Sequence, residues 1–186
     1  MYNSYLQLFQ FLFGFLLCYN INMENNEISK KVSGLLEKYQ IDKPVVNVFQ
    51  IAEDEGLNLK FIRMPEALKD VAGFFDVNSK SIFVNNEDPP NRQMFTVAHE
   101  LGHYILAHKK DNYGVLYRRQ MFSIEQAPAE KEANYFAANL LVPKKMLKYT
   151  MGKYDLTKKD DEILASLFGV SKEMMGYRIK NCCNDL

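Results

Sequence analysis

The chain has 186 residues, of which 47% are apolar and 25% charged, and its formal net charge is zero. This length suits one compact domain, with room for a small appendage, and the composition is that of an ordinary globular protein. Balanced charge excludes a long-range electrostatic pull toward nucleic acid or an anionic membrane, so no direct nucleic-acid partner is expected. The three cysteines, Cys18, Cys182 and Cys183, form neither a disulfide framework nor a metal-ligand spacing. A reducing cytoplasm is the compartment they fit best.

The chain opens on an apolar segment, Tyr5 to Tyr19. A bilayer span needs about 20 such residues. A signal peptide needs basic residues ahead of its apolar stretch, and none occurs before Lys30. Three readings of residues 1–22 therefore compete: a short membrane anchor or atypical leader, an extra helix docked on the domain, or a start assigned upstream of the true one at Met23. The last fits best, because Met23-Glu24-Asn25-Asn26-Glu27 is an ordinary cytosolic opening. The expected organisation is thus residues 1–22 as a hydrophobic segment and 23–186 as the folded domain. Membrane contact is expected only if residues 5–19 act as an anchor.

From Glu24 to Tyr39 the apolar residues Ile28, Val32, Leu35, Leu36 and Tyr39 recur at helical spacing. Val48 to Glu55 reads as a second helix, stopped by Gly56. Leu57 to Arg63 alternates like a strand. Val71 to Val77 and Ser81 to Asn85 are β-rich runs around Asn78-Ser79-Lys80, which predicts a hairpin. Such a hairpin would complete the core, and its edge could also hold an extended substrate through main-chain hydrogen bonds. Asp88-Pro89-Pro90 forms a loop, with both prolines ahead of a helix over residues 91 to 109.

That helix carries the most informative segment, His99-Glu100-Leu101-Gly102-His103. Residues four apart share a helix face, so both imidazoles can point at one metal ion. Glu100, next to the first histidine, is placed to reach water at an open metal position rather than the metal itself. Two histidines, one further protein ligand and an open position make a catalytic zinc (Zn2+) site, in which the glutamate acts as general base. Manganese or iron could occupy the same ligand types. The plainer alternative, two surface histidines around a solvated glutamate, conflicts with the apolar residues on both sides, Phe95 to Ala98 and Tyr104 to Ala107. His108 falls on the opposite side of a straight helix from His99 and is expected to pack or cap without a special role.

The third ligand is sought downstream. Pro128 suits a helix start, and Ala133, Phe136, Ala137, Leu140 and Leu141 recur at helical spacing. Glu130 lies on the inward stripe with Asn134 and Ala137, whereas Glu132 lies about 100° or more from the centre of that stripe. Glu130 is therefore the expected third ligand, with Glu132 as its competitor and Asn134 placed to hydrogen-bond a ligand. Either glutamate could instead merely favour the helix N-terminus. Between the two helices, Asp111 to Gln126 is an aperiodic linker long enough to rim a cleft. Its Tyr113 and Tyr117 are candidates for steadying an oxyanion, although packed tyrosines are the commoner case. Leu164 to Ile179 reads as helix, turn, helix around Gly169-Val170-Ser171. Of DNA contact, repressor docking and simple covering of the domain, covering is favoured, because Lys172 is offset by Glu173 and only Arg178 and Lys180 remain.

Taken together, Phe95 to His103, Glu130 to Pro143 and Asp70 to Phe75 resemble the ImmA/IrrE family of metallopeptidases over roughly residues 24 to 180. The resemblance implies an α+β, zincin-like domain: a small mixed or antiparallel sheet packed on the metal-site helices, with a helical C-terminal hairpin. It implies a gluzincin-like site of two histidines from one helix and a glutamate from the next. It also implies cleavage of a helix-turn-helix transcriptional repressor that switches on a mobile element or a stress response. The competing function is a non-catalytic binding partner, accessory or antitoxin-like. The intact His-Glu-x-x-His segment argues against it, because a scaffold has no use for Glu100.

Overall fold

The computed structural model describes residues 26–108 and 128–182. Residues 1–22, with the apolar segment and Cys18, lie outside the described residues, as do the linker 111–126, with Tyr113 and Tyr117, and Cys183. Helix α1 spans residues 26–38 and is followed by α2, Val48–Asp54. Asn47 caps α2 by accepting a hydrogen bond from the backbone N–H of Gln50, which satisfies one of the free donors of a helix start. Gly56, at φ 85°, takes the left-handed conformation that ends this segment.

Strands β1 (Asn58–Ile62), β2 (Gly73–Asp76) and β3 (Ser81–Asn85) form one sheet in the order β1-β3-β2. A short 3-10 turn, Glu66–Leu68, lies between β1 and β2. β2 and β3 are the expected hairpin, antiparallel with Phe74 opposite Phe83. Its turn is built by the Asp76 carboxylate, which accepts from the backbone N–H of Asn78 and Ser79 and from the Ser79 hydroxyl. β1 pairs with β3 in parallel, so the sheet is mixed. β3 is the central strand, and its Ile82 and Val84 are fully buried. The fold is α+β, as expected.

Helix α3 runs from Pro90 to Ile105. Pro90 is its first residue rather than part of the preceding loop, a position where its missing N–H costs nothing. The helix also ends four residues earlier than the sequence spacing predicts. Helices α4 (Pro128–Leu141) and α5 (Lys144–Lys153) follow, the latter with no counterpart in the sequence reading. Val97, Ala98 and Leu101 of α3 pack with Phe136, Leu140 and Leu141 of α4 in a core shared with Ile28, Val32 and Leu35 of α1. Among the described residues, no helix is long and apolar enough to cross a membrane.

Gly73 sets how closely β2 approaches the rest. A Cβ placed there would lie 2.5 Å from the Phe83 carbonyl oxygen and 2.5 Å from Thr96 Cγ2 on α3. The first of these is backbone and cannot rotate away. Gly73→Ala is therefore expected to destabilise the domain by about 1–3 kcal/mol, the usual cost of overpacking. Denaturant unfolding checks this, and unchanged stability would mean that β2 can shift without loss.

The C-terminal hairpin consists of α6 (Asp161–Phe168) and α7 (Lys172–Cys182), with Gly169 at φ 69° ending α6. Arg178, counted above among the cations available to DNA, is 3% exposed. Its Nε donates to the Val142 carbonyl at 2.7 Å and its Nη2 to Asn139 Oδ1 at 2.8 Å. It ties α7 to the end of α4 and leaves the hairpin's cationic surface. The hairpin therefore covers the domain and leaves Lys180 as the only one of the two remaining cations on its surface.

Candidate metal centre

α3 and α4 pack extensively against each other, and the site lies on their facing sides. Phe95-Thr96-Val97-Ala98 makes α3 apolar enough to be buried, and that burial carries its polar residues inward. His99, Glu100 and His103 are 1%, 1% and 2% exposed. Between the two histidines, Gly102 lets α4 come close, since a Cβ there would sit 3.0 Å from the Phe136 ring. A larger residue meets Phe136 and presses the two helices apart. Gly102→Val is expected to lower both thermal stability and metal content, because the spacing it widens also positions Glu130. Loss of neither, by calorimetry and metal analysis, would mean that Phe136 repacks.

His99 Nε2 and His103 Nε2 converge to 3.0 Å. From α4, Glu130 brings Oε2 to 3.3 Å from the first and Oε1 to 3.3 Å from the second. One ligand atom from each of His99, His103 and Glu130 lies within 4.8 Å of the others, so together they could hold a metal ion. Glu132 is not part of this group among the described residues. Burial works against the charged Glu130 carboxylate, but positive charge at His103 and His99 would outweigh it and hold its carboxyl well below the usual carboxylate range; with neutral imidazoles, a cation between the three side chains would supply that charge instead. Asn134 faces the site from one turn further along α4, with its Oδ1 2.9 Å from His99 Nδ1. A carbonyl oxygen only accepts, so His99 carries its hydrogen on Nδ1 and leaves Nε2 a lone pair. A lone pair and a carboxylate facing each other in a buried site suit a cation, and the donor set of two imidazoles and one carboxylate suits zinc.

His108 departs from expectation. The reading that set it on the far side of a straight helix fails because α3 stops at Ile105. Ala107 then adopts φ 55°, and the chain folds back over the last turn. His108 Nδ1 comes to 2.8 Å from His103 Nδ1, and its Nε2 to 2.9 Å from Glu132 Oε2. The competitor for third ligand thus engages a third histidine instead. Nothing in the spacing announces this, because the turn uses an alanine where a glycine would have signalled it.

Fold and site together define a zincin-like α+β domain with a His-His-Glu group that could hold a metal ion. The family described as Peptidase_M78, IrrE N-terminal-like domain, matches residues 52–180, and the chain belongs to this ImmA/IrrE family of metallopeptidases. It is 30% identical over 124 residues to the radiation response metalloprotease IrrE of Deinococcus radiodurans, a match covering 67% of this chain and 37% of that protein. The chain thus spans little more than a third of the relative's length. A solved structure of a Mycobacterium tuberculosis transcriptional regulator is similar at a TM-score of 0.56 and 16% identity, covering 84% of this chain and 48% of that chain. At that identity the likeness speaks for the fold alone.

Proposed function

We propose that this protein is a zinc-dependent endopeptidase that cuts a helix-turn-helix transcriptional repressor and so switches on a mobile element or a stress response. The observation that carries the reading is the convergence of His99, His103 and Glu130 beside a buried Glu100 on the same helix. The first three would hold the ion. When bound, zinc supplies Lewis acidity, polarising a carbonyl and making water more acidic. Glu100 takes a proton from the attacking water and later returns it to the leaving amine. Asn134 holds the His99 ring with its Nε2 turned toward the site. Residues 23–186 are read as the peptidase domain, since α1, which precedes the family match, contributes Ile28, Val32 and Leu35 to the same core.

The repressor is inferred from the family. Its test is incubation of the zinc-loaded chain with helix-turn-helix repressors of the same genome, any encoded beside it first. A discrete cut, abolished by a chelator and restored by zinc, is the expected result. An intact repressor that nevertheless binds a zinc-loaded chain would favour the non-catalytic binding partner.

A further inference from the structure

We propose that His108 and Glu132 are positioning residues for the metal centre, joined in a hydrogen-bonded chain that fixes which nitrogen of His103 faces the ion. The inference rests on the metal-site reading above and deepens it. The geometry begins with the backbone. The His108 N–H donates to the His103 carbonyl at 3.1 Å, and the Ala107 N–H donates to the Tyr104 carbonyl at 3.1 Å. These are the two bonds of a Schellman ending, with Ala107 in the left-handed position. An L-residue pays about 1–2 kcal/mol for that conformation, and strain of this kind gathers where a particular geometry is used. In this motif the residue after the left-handed one ordinarily makes an apolar contact with the last turn of the helix. Here that contact is between two imidazoles, with ring centroids 4.9 Å apart.

The direction of the hydrogen bonds follows from the far end of the chain. Glu132 is a carboxylate and only accepts, so His108 carries its hydrogen on Nε2 and donates it to Oε2 at 2.9 Å. A neutral His108 then has a lone pair on Nδ1. The facing His103 Nδ1, 2.8 Å away, must supply the hydrogen. That leaves the lone pair of His103 on Nε2, the atom beside Glu130 and His99. Asn134 does the same for His99. Each histidine of the pair is thereby held by an acceptor on α4, His99 directly and His103 through His108. The His108 side chain is 8% exposed, so water competes little for these bonds.

The test is zinc affinity of the full chain, stripped with a chelator and titrated back against a chromophoric zinc chelator. Thermal midpoints of the metal-free proteins are measured alongside. His108→Phe keeps a ring over the last turn of α3 but cannot accept a hydrogen bond, and it is expected to weaken zinc about 10- to 100-fold. Glu132→Ala, at the start of α4, is expected to weaken it several-fold, roughly the lower end of that range. Metal-free midpoints close to wild type would separate positioning from simple folding support. Zinc affinity within twofold of wild type in both variants overturns the proposal and leaves the metal centre standing. A wild-type chain that binds no zinc overturns the metal reading itself, and this proposal with it. If His108→Phe fails to fold, Glu132→Ala decides the matter alone.

Discussion

Glu100→Gln is expected to retain about one zinc per chain, as a four-coordinate site keeps all three of its protein ligands, and to lose repressor cleavage. The substitution preserves the size of the side chain and removes only its ability to take a proton. General base catalysis contributes about 100- to 10,000-fold, so the cleavage rate should fall by that factor. The amide keeps the shape of a side chain that is 1% exposed, so packing around it is retained and folding should not suffer. The measurement pairs metal content with single-turnover cleavage of the repressor. Cleavage at the wild-type rate would sink the role assigned to Glu100. Loss of zinc together with cleavage would mean that Glu100 supports the ligands rather than the chemistry.

Much of this site could be read before the fold was known, for identifiable physical reasons. The His99–His103 pair depends only on the helical repeat, and that repeat is invariant. Glu130 could be chosen over Glu132 because Asn134 and Ala137 mark the buried stripe, and the structure brings Glu130 to both histidines. The hairpin was legible because its turn residues and flanking β-branched and aromatic residues agree. His108 was not, because its place depends on where α3 ends. Ala107 supplies the left-handed turn that glycine would have advertised. Arg178 was misread for a related reason: its partners, Asn139 and the Val142 carbonyl, are 36 or more residues away in the chain. The parallel pairing of β1 with β3 was equally hidden. Alternation marks a strand but not its neighbour, and β1 is mostly exposed.

Glu130→Ala carries the other large expected effect, the loss of bound metal. His99 and His103 are fixed on one helix by its geometry, whereas Glu130 comes from another helix and is placed only by packing. Two imidazoles alone leave two positions open to water. Both the charge and the third donor of a catalytic zinc site disappear with the carboxylate. The variant should therefore retain well under the roughly one zinc per chain expected of wild type. Glu132→Ala should still purify with zinc, because a several-fold weaker site remains filled when zinc is in excess. Metal analysis of the three proteins side by side separates the two glutamates. Zinc lost from the Glu132 variant and kept in the Glu130 variant would reverse the ligand assignment. The Glu130 variant should also keep its fold, since the side chain is 27% exposed and lies outside the apolar core that joins the helices. A protein that still unfolds cooperatively without metal, beside an inactive site, is the pattern that distinguishes a catalytic ligand from a structural one.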